Sequence, residues 1–301
     1  MRILLTGKNG QVGWELQRAL TPIGEVIALG RHELDLASAD SISRTVRATR
    51  PDVIVNAAAY TAVDRAEAEP ELAMLVNGVA PGIFAEEARR LGALLVHYSS
   101  DYVFNGAKDS PYAEDDAPAP LNEYGRSKLA GEQAIRAAAG CYYIFRTSWV
   151  YAARGHNFVN TILRLARERS ELRIVDDQVG APTWARSIAE LTATVLAGGD
   201  GLAQARERGG LYHFTAGGTV SWCGFAQAIV ELVRAAFPAM NAPRLIPIPS
   251  SEYPLPARRP HNSRLDSSRL SAAFGVTAAS WESMLEECLR EKADYGEAAA
   301  G

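Results

Sequence analysis

Short β-branched runs alternate with longer amphipathic stretches through the first half of the chain, and this alternation leaves few architectures open. Ile3–Thr6, Val26–Leu29, Val53–Asn56, Leu94–Ser99 and Tyr142–Arg146 read as strands. Between them, Gln11–Leu20 carries Val12, Leu16, Ala19 and Leu20 on one helical face, and Ser38–Thr49 carries Ile42 and Val46 four residues apart. Glu71–Leu91 reads as one long helix and Leu121–Ala139 as another. Apolar strands joined by helices pair in parallel, with right-handed crossovers and helices on both faces. The expected fold is therefore α/β, a doubly wound parallel sheet.

The chain has 301 residues, enough for two lobes. Residues 1–150 form the expected sheet domain. Residues 151–301 form mainly a second, smaller α/β lobe, with segments free to return to the first sheet. Helices are expected at Asn157–Arg169, Ala185–Leu196 and Ser221–Ala236 and around Trp281–Lys292. Gly198–Gly210 reads as a loop, prolines and glycines crowd Ile246–Pro260, and Gly296–Gly301 reads as a frayed tail.

A net charge of -4 gives no broad basic field for nucleic acid. An anionic ligand must be met by a local cluster of donors. The three cysteines, Cys141, Cys223 and Cys288, are scattered and form no C-x-x-C pair, so they read as free thiols. The opening apolar stretch is too short for a signal peptide or a spanning helix, and a cytoplasmic location without membrane contact is expected.

Gly7-Lys8-Asn9-Gly10-Gln11-Val12-Gly13 lies between the first strand and the first helix. Gly7 permits a sharp turn, Gly10 a close approach of backbone to a pyrophosphate, and Gly13 close packing of helix on strand. The helix N-terminus then offers free N–H groups to phosphate. In this position the triplet indicates a dinucleotide site of the Rossmann type. An NAD-selective site carries an acid at the end of the second strand. Here Gly30 stands there, followed by Arg31 and His32. Arg31 is either a solvated loop charge or a partner for a 2'-phosphate; the missing acid favours NADPH, with NADH still possible. Asp35 and Leu36 are placed to flank the adenine. Ala59, Tyr60 and Thr61 follow the third strand, where the middle of the cofactor would run.

Tyr124 and Lys128 lie four apart on one helical face. Reduction of a ketone needs a proton donor for the developing alkoxide, and a nearby ammonium would make a phenol more acidic. Ser99-Ser100-Asp101 ends the fourth strand, at the edge of a parallel sheet where ligands bind. Ser99 continues the strand, so Ser100 is the hydroxyl expected to bond a substrate carbonyl oxygen.

The glycine loop, the Ser-Ser-Asp-Tyr-Val-Phe segment and Tyr-x-x-x-Lys together resemble the extended short-chain dehydrogenase/reductases. More narrowly, GKNGQVGWELQRAL, VNAAAYTAVDRAE, HYSSDYVFNG, YGRSKLAGE, RTSWVYA, DDQVGAPT and ARRPHNSRLD are similar to the dTDP-4-dehydrorhamnose reductase family. The resemblance implies reduction of the C4 ketone of a dTDP-sugar. It implies that Gly10, Gln11 and Val12 hold the pyrophosphate side of the cofactor, and that Asp35, Leu36, Ala59, Tyr60 and Thr61 line the rest. Tyr124 and Lys128 become the catalytic pair, also touching cofactor. Ser100 stands where the family commonly has threonine, Ser100 and Asp101 touch the sugar, and Trp149 packs on substrate. Asn77 matches a structural asparagine of related reductases. Arg258 and Arg259 are placed to meet a diphosphate. Asn157-Phe158 is either a sugar or base contact or a helix cap followed by a core aromatic.

Some relatives dimerise around magnesium held by acidic side chains. Glu15 and Glu287 match two of these, but Arg186 stands at the third. No metal ligand is therefore assigned, magnesium is left open, and the chain is expected to be a monomer or homodimer. Two rival activities fit the same fold: a nucleotide-sugar 4-epimerase and a non-catalytic NADP-binding regulatory subunit.

Overall fold

The computed structural model describes residues 1–198, 201–236 and 242–298. Five strands from the first half, β1 (Arg2–Thr6), β2 (Glu25–Leu29), β3 (Val53–Asn56), β4 (Leu94–Ser100) and β5 (Cys141–Thr147), build one parallel sheet. The strand Gly210–His213 comes back from the second half and pairs in parallel with β5. From that edge, the order across the sheet is Gly210–His213, β5, β4, β3, β1, β2. The chain reverses its direction of winding between β1 and β3, which opens a crevice beyond their carboxyl ends.

The strands are apolar on both sides because both sides are covered. Ile3, Leu5, Val53, Val55, Leu94 and Val96 face one way, against Leu16 and Leu20 of helix α1 (Gln11–Leu20) and Ile188, Leu191 and Val195 of the helix Ala185–Ala197. Their alternate neighbours Leu4, Ile54, Leu95 and Ile144 face the other way. There they meet Ile42 and Val46 of helix α2 (Ala39–Thr49), Phe84 of the helix Ala80–Leu91 and Ile135 of the helix Glu123–Ala137. The period-two pattern of a strand thus feeds two cores at once. A further apolar cluster, with Phe225, Ile229, Trp281 and Leu285 inside it, belongs to the second half of the chain.

Three readings of the sequence need correction. The stretch expected as one helix over Glu71–Leu91 is divided. A short helix Pro70–Met74 runs into a π-turn at Leu75–Val79 before Ala80–Leu91 continues. Pro81 has no N–H to give and its ring crowds the carbonyl four residues back, that of Asn77; widening the turn relieves both. The expected loop over Gly198–Gly210 contains a helix, Gly201–Arg208, and its residues 199–200 lie outside the described residues. The tail expected to fray from Gly296 is helical through Ala298, and 299–301 lie outside the described residues.

The edge strand is joined to β5 by buried charge. Arg146 and Glu132 are 3% and 1% exposed and pair through two bonds of 2.6 and 2.8 Å. Ser99 Oγ donates to the same carboxylate at 2.5 Å, and Arg146 also lies 3.4 Å from His213 Nε2 on the returning strand. The guanidinium sits 5.0 Å from the centre of the Phe104 ring. Removing one partner leaves the other charge buried without compensation. Arg146→Ala should therefore lower unfolding stability by about 3–5 kcal/mol in urea titration, a loss far above that of an exposed arginine.

Candidate active site

The glycine loop lies where β1 ends. Gly7 has a φ of +76°, and a Cβ there would sit 2.7 Å from Ala58 N in the segment leaving β3. Gly7 N donates to Leu29 O of β2 at 2.9 Å, which ties the loop to the second strand as well. A Cβ on Gly13 would lie 2.0 Å from Gly7 O, so α1 packs on the loop more closely than any side chain allows. Gly10 is the N-cap of α1 and supplies no side-chain cap, which leaves first-turn N–H groups free for an anion. The cradle therefore fits a dinucleotide pyrophosphate. Val12 packs into the sheet core, and Gln11 Oε1 accepts from Asn157 Nδ2 at 3.0 Å.

Beyond β2, Gly30 is followed by an exposed Arg31. An acid does reach this corner, from three residues beyond Gly30 and with no signature in the sequence. Glu33 folds back so that its carboxylate accepts from Gly30 N at 2.6 Å and pairs with Lys8 at 2.5 Å. The Lys8 ammonium and the Gly30 N–H hold the Glu33 carboxyl below its usual range. Asp35 is exposed and caps its own turn through Ala37 N at 2.9 Å, while Leu36 packs against the core under α2.

Ala59, Tyr60 and Thr61 lie just past β3, and Asn77 fixes their backbone. Its Oδ1 accepts from Tyr60 N at 2.8 Å, and its Nδ2 donates to Tyr60 O at 2.9 Å and Ser127 Oγ at 3.0 Å. The π-turn thus presents one buried amide to the segment after β3 and to the helix that carries Tyr124.

That helix, Glu123–Ala137, is capped by Asn122, whose Oδ1 accepts from Gly125 N. It lies along the carboxyl end of β4, where a Cβ at Gly125 would meet Tyr102 O at 2.2 Å. Ser100, Tyr124 and Lys128 come together there. Ser100 is buried; its hydroxyl donates to Asp101 Oδ1 at 2.9 Å and accepts from Tyr102 N at 3.1 Å. The Tyr124 ring meets Tyr102 edge-on, 5.5 Å between centres. Burial pushes its phenol up to about 12, against the pull of the Ser100 hydroxyl. The depressed phenol expected from the Tyr-Lys pairing is not what this environment produces, because desolvation, with the Asp101 charge adding to it, outweighs the Ser100 hydroxyl. Lys128 is 2% exposed and donates to Tyr98 O at 2.6 Å; burial brings its ammonium down to about 8, with Glu132 opposing the fall. Asp101 is buried and pushed up to about 6 by desolvation, offset in part by the Ser263 and Ser100 hydroxyls.

Trp149 lies past the end of β5 with a φ of +49° and stacks on Trp222, ring centres 3.5 Å apart and planes 6° from parallel. Gly180, in the short strand Val179–Gly180, leaves room for that ring: a Cβ there would be 2.6 Å from the indole. Arg259 is already engaged, forking onto both Asp64 oxygens at 2.6 and 2.7 Å, while the Arg258 side chain is exposed. Asn157 caps the helix Phe158–Glu168 and Phe158 packs with Phe225, the structural one of the two readings.

The acidic cluster holds a guanidinium among its carboxylates. Arg186 bonds Glu15 at 3.3 Å and also pairs with Glu291, while desolvation and then the nearby charges of Glu287 and Glu15 raise the Glu190 carboxyl. The guanidinium fills the space between two carboxylates. Among the described residues no three Asp, Glu, His or Cys side chains are grouped to hold a metal ion.

Comparison with known proteins gives the family. The family described as the RmlD substrate binding domain matches residues 1–293. The dTDP-4-dehydrorhamnose reductase of Burkholderia thailandensis is 51% identical over 299 residues, 97% of this chain and 99% of that protein. That of Escherichia coli K12 is 46% identical over 295 residues, 97% and 98% of the two chains. A solved dTDP-4-dehydrorhamnose reductase from Bacillus anthracis, in complex with NADP, superposes with a TM-score of 0.88 at 34% identity over 96% of this chain and 99% of that one. Fold and full-length similarity converge, and the chain belongs to the dTDP-4-dehydrorhamnose reductase family.

Proposed function

We propose that this protein reduces the C4 ketone of dTDP-4-dehydro-L-rhamnose to dTDP-L-rhamnose, a precursor of surface polysaccharide, using NADPH. The observation that carries the reading is the meeting of Ser100, Tyr124 and Lys128 at the end of β4, beside a glycine cradle at the β1/β3 crevice. Gly7, Gly10, Gln11, Val12 and Gly13 would hold the pyrophosphate, with Ala59, Tyr60, Thr61, Asp35 and Leu36 along the remaining length. Arg31 would meet the 2'-phosphate, and NADPH is favoured because the acid that reaches Gly30, Glu33, is already paired with Lys8. The solved relative that holds NADP supports the same preference.

When bound, the dinucleotide supplies a hydride to the carbonyl carbon. The chain handles the oxygen. Ser100 donates a hydrogen bond to it and holds it beside Tyr124. Tyr124 gives it a proton; a phenol raised to about 12 is fully protonated at neutral pH, and a secondary alkoxide is the stronger base, so transfer runs downhill. Lys128 lends positive charge to the phenolate as it forms. Asp101 and Trp149 would touch the sugar.

Loss of reduced-dinucleotide absorbance with the 4-keto sugar, in purified protein alone, is the direct assay. Tyr124→Phe should lower kcat by about 10²- to 10⁴-fold while dinucleotide affinity changes by less than about twofold. Unchanged turnover would remove Tyr124 from the reaction. Magnesium should neither raise the Tm of the natural protein nor be needed for turnover. Arg186→Glu, which replaces the guanidinium between Glu15 and Glu291 by a carboxylate, should make Tm rise with added magnesium.

A further inference from the structure

A chain of buried polar groups runs under the site, from β1 to the helix that bears Tyr124. Ala58 N donates to Thr6 Oγ1 at 3.2 Å, and Thr6 Oγ1 donates to Asn56 Oδ1 at 2.7 Å. Asn56 Nδ2 lies 3.2 Å from His97 Nδ1, and His97 Nε2 lies 3.3 Å from Lys128 Nζ. Thr6, Asn56 and His97 are each 1% exposed and Lys128 is 2% exposed, so no solvent substitutes for a missing partner.

The groups around the ammonium are few. Tyr98 O and His97 face it from β4; Tyr124 and Glu132 stand one turn either side on its own helix. Glu132 is itself committed to Arg146 from β5 and to Ser99. His97 faces Lys128 from one side and Asn56 of β3 from the other. Burial and the nearby ammonium hold its ring well below its usual protonation range, so it is neutral.

A neutral imidazole has one lone pair and one N–H, which decides the pattern. While Lys128 is charged it can only donate, so Nε2 must accept. Nδ1 then carries the proton and must find an oxygen, which requires the Asn56 amide to turn over from the orientation found here, where Oδ1 accepts from Thr6 and Nδ2 faces Nδ1. When Lys128 loses its proton, the orientation found here becomes the satisfied one: Asn56 NH₂ donates to Nδ1, and Nε2–H to the amine.

We propose that His97 is a positioning residue for Lys128, holding its ammonium from the sheet side with a ring tautomer that follows the lysine's protonation. It touches neither substrate nor dinucleotide. The same chain continues to Ala58, at the segment expected to run under the cofactor, so one run of hydrogen bonds aligns the lysine with the floor of the crevice.

The proposal rests on the reading of Lys128 as a catalytic residue, and two measurements separate the claims. In the natural full-length protein, ring ¹⁵N shifts of His97 should report the neutral Nδ1–H tautomer below the alkaline fall of kcat and change in step with that fall. An imidazolium, an Nε2–H tautomer on the acid side, or a ring blind to the transition would overturn the positioning role. Turnover supplies the second measurement. His97→Leu removes the acceptor, so the ammonium is less favoured and the alkaline limb of kcat should move down by about one pH unit. At neutral pH kcat should drop about tenfold or more, the worth of one charge-assisted hydrogen bond, with KM for both substrates nearly unchanged. His97→Gln keeps an acceptor oxygen and should restore the limb. A folded His97→Leu protein with an unmoved profile, or a loss confined to KM, would refute the proposal. If Lys128→Met keeps full turnover, it is the catalytic reading of Lys128 that fails, whatever His97 does in the resonance experiment.

Discussion

Everything at the candidate site depends on how closely helix α1 approaches the loop it grows from. With only 2.0 Å between Gly7 O and the point where a Gly13 Cβ would stand, the helix is seated on the strand end by backbone alone. That seating aims uncapped N–H groups into the crevice between β1 and β3. It also brings the loop against Ala58, so the exits of β1 and β3 are shaped together. The glycines contribute by having no side chain; any gain in helix propensity from alanine would be lost to collision.

The second organising feature is buried charge. Lys128, Glu132 and Arg146 are each nearly inaccessible, and they lie along one helix and the strand beneath it. Arg146 and Glu132 satisfy each other, which makes the returning edge strand part of the electrostatic design. Lys128 has no such carboxylate bonded to it. It is held by a carbonyl and an imidazole, both uncharged, and so keeps a proton that it can lose near neutral pH. A full ion pair there would have held the charge too firmly to respond to chemistry at a neighbouring phenol.

The sheet was legible from sequence because strands buried on both faces are written as unbroken β-branched runs, as in Val53–Asn56. The glycine loop and the Tyr124–Lys128 spacing were legible because each needs its residue types at fixed intervals. Other features had no local signature. Gly210–His213 is short, and half of what makes it a strand is the waiting edge of β5. The π-turn follows from a proline inside a good helix pattern, and Pro81 is its one sequence signal. Glu33 reaches Gly30 through a turn of three residues, beyond the strand end where such an acid usually stands. His97 reads as one more strand residue, and only the pairing of β3 with β4 sets it beside Asn56.

The hydrogen bond between Gln11 and Asn157 gives the first helix an owner in each half of the molecule. Asn157 also caps its own helix and gathers the carbonyl of Ala152, so its amide cannot turn without loosening both. Evolutionary exchange of the second half for that of a cousin would therefore disturb the glycine loop, even with every residue of that loop left in place. Recombination along this chain is constrained by one side-chain amide.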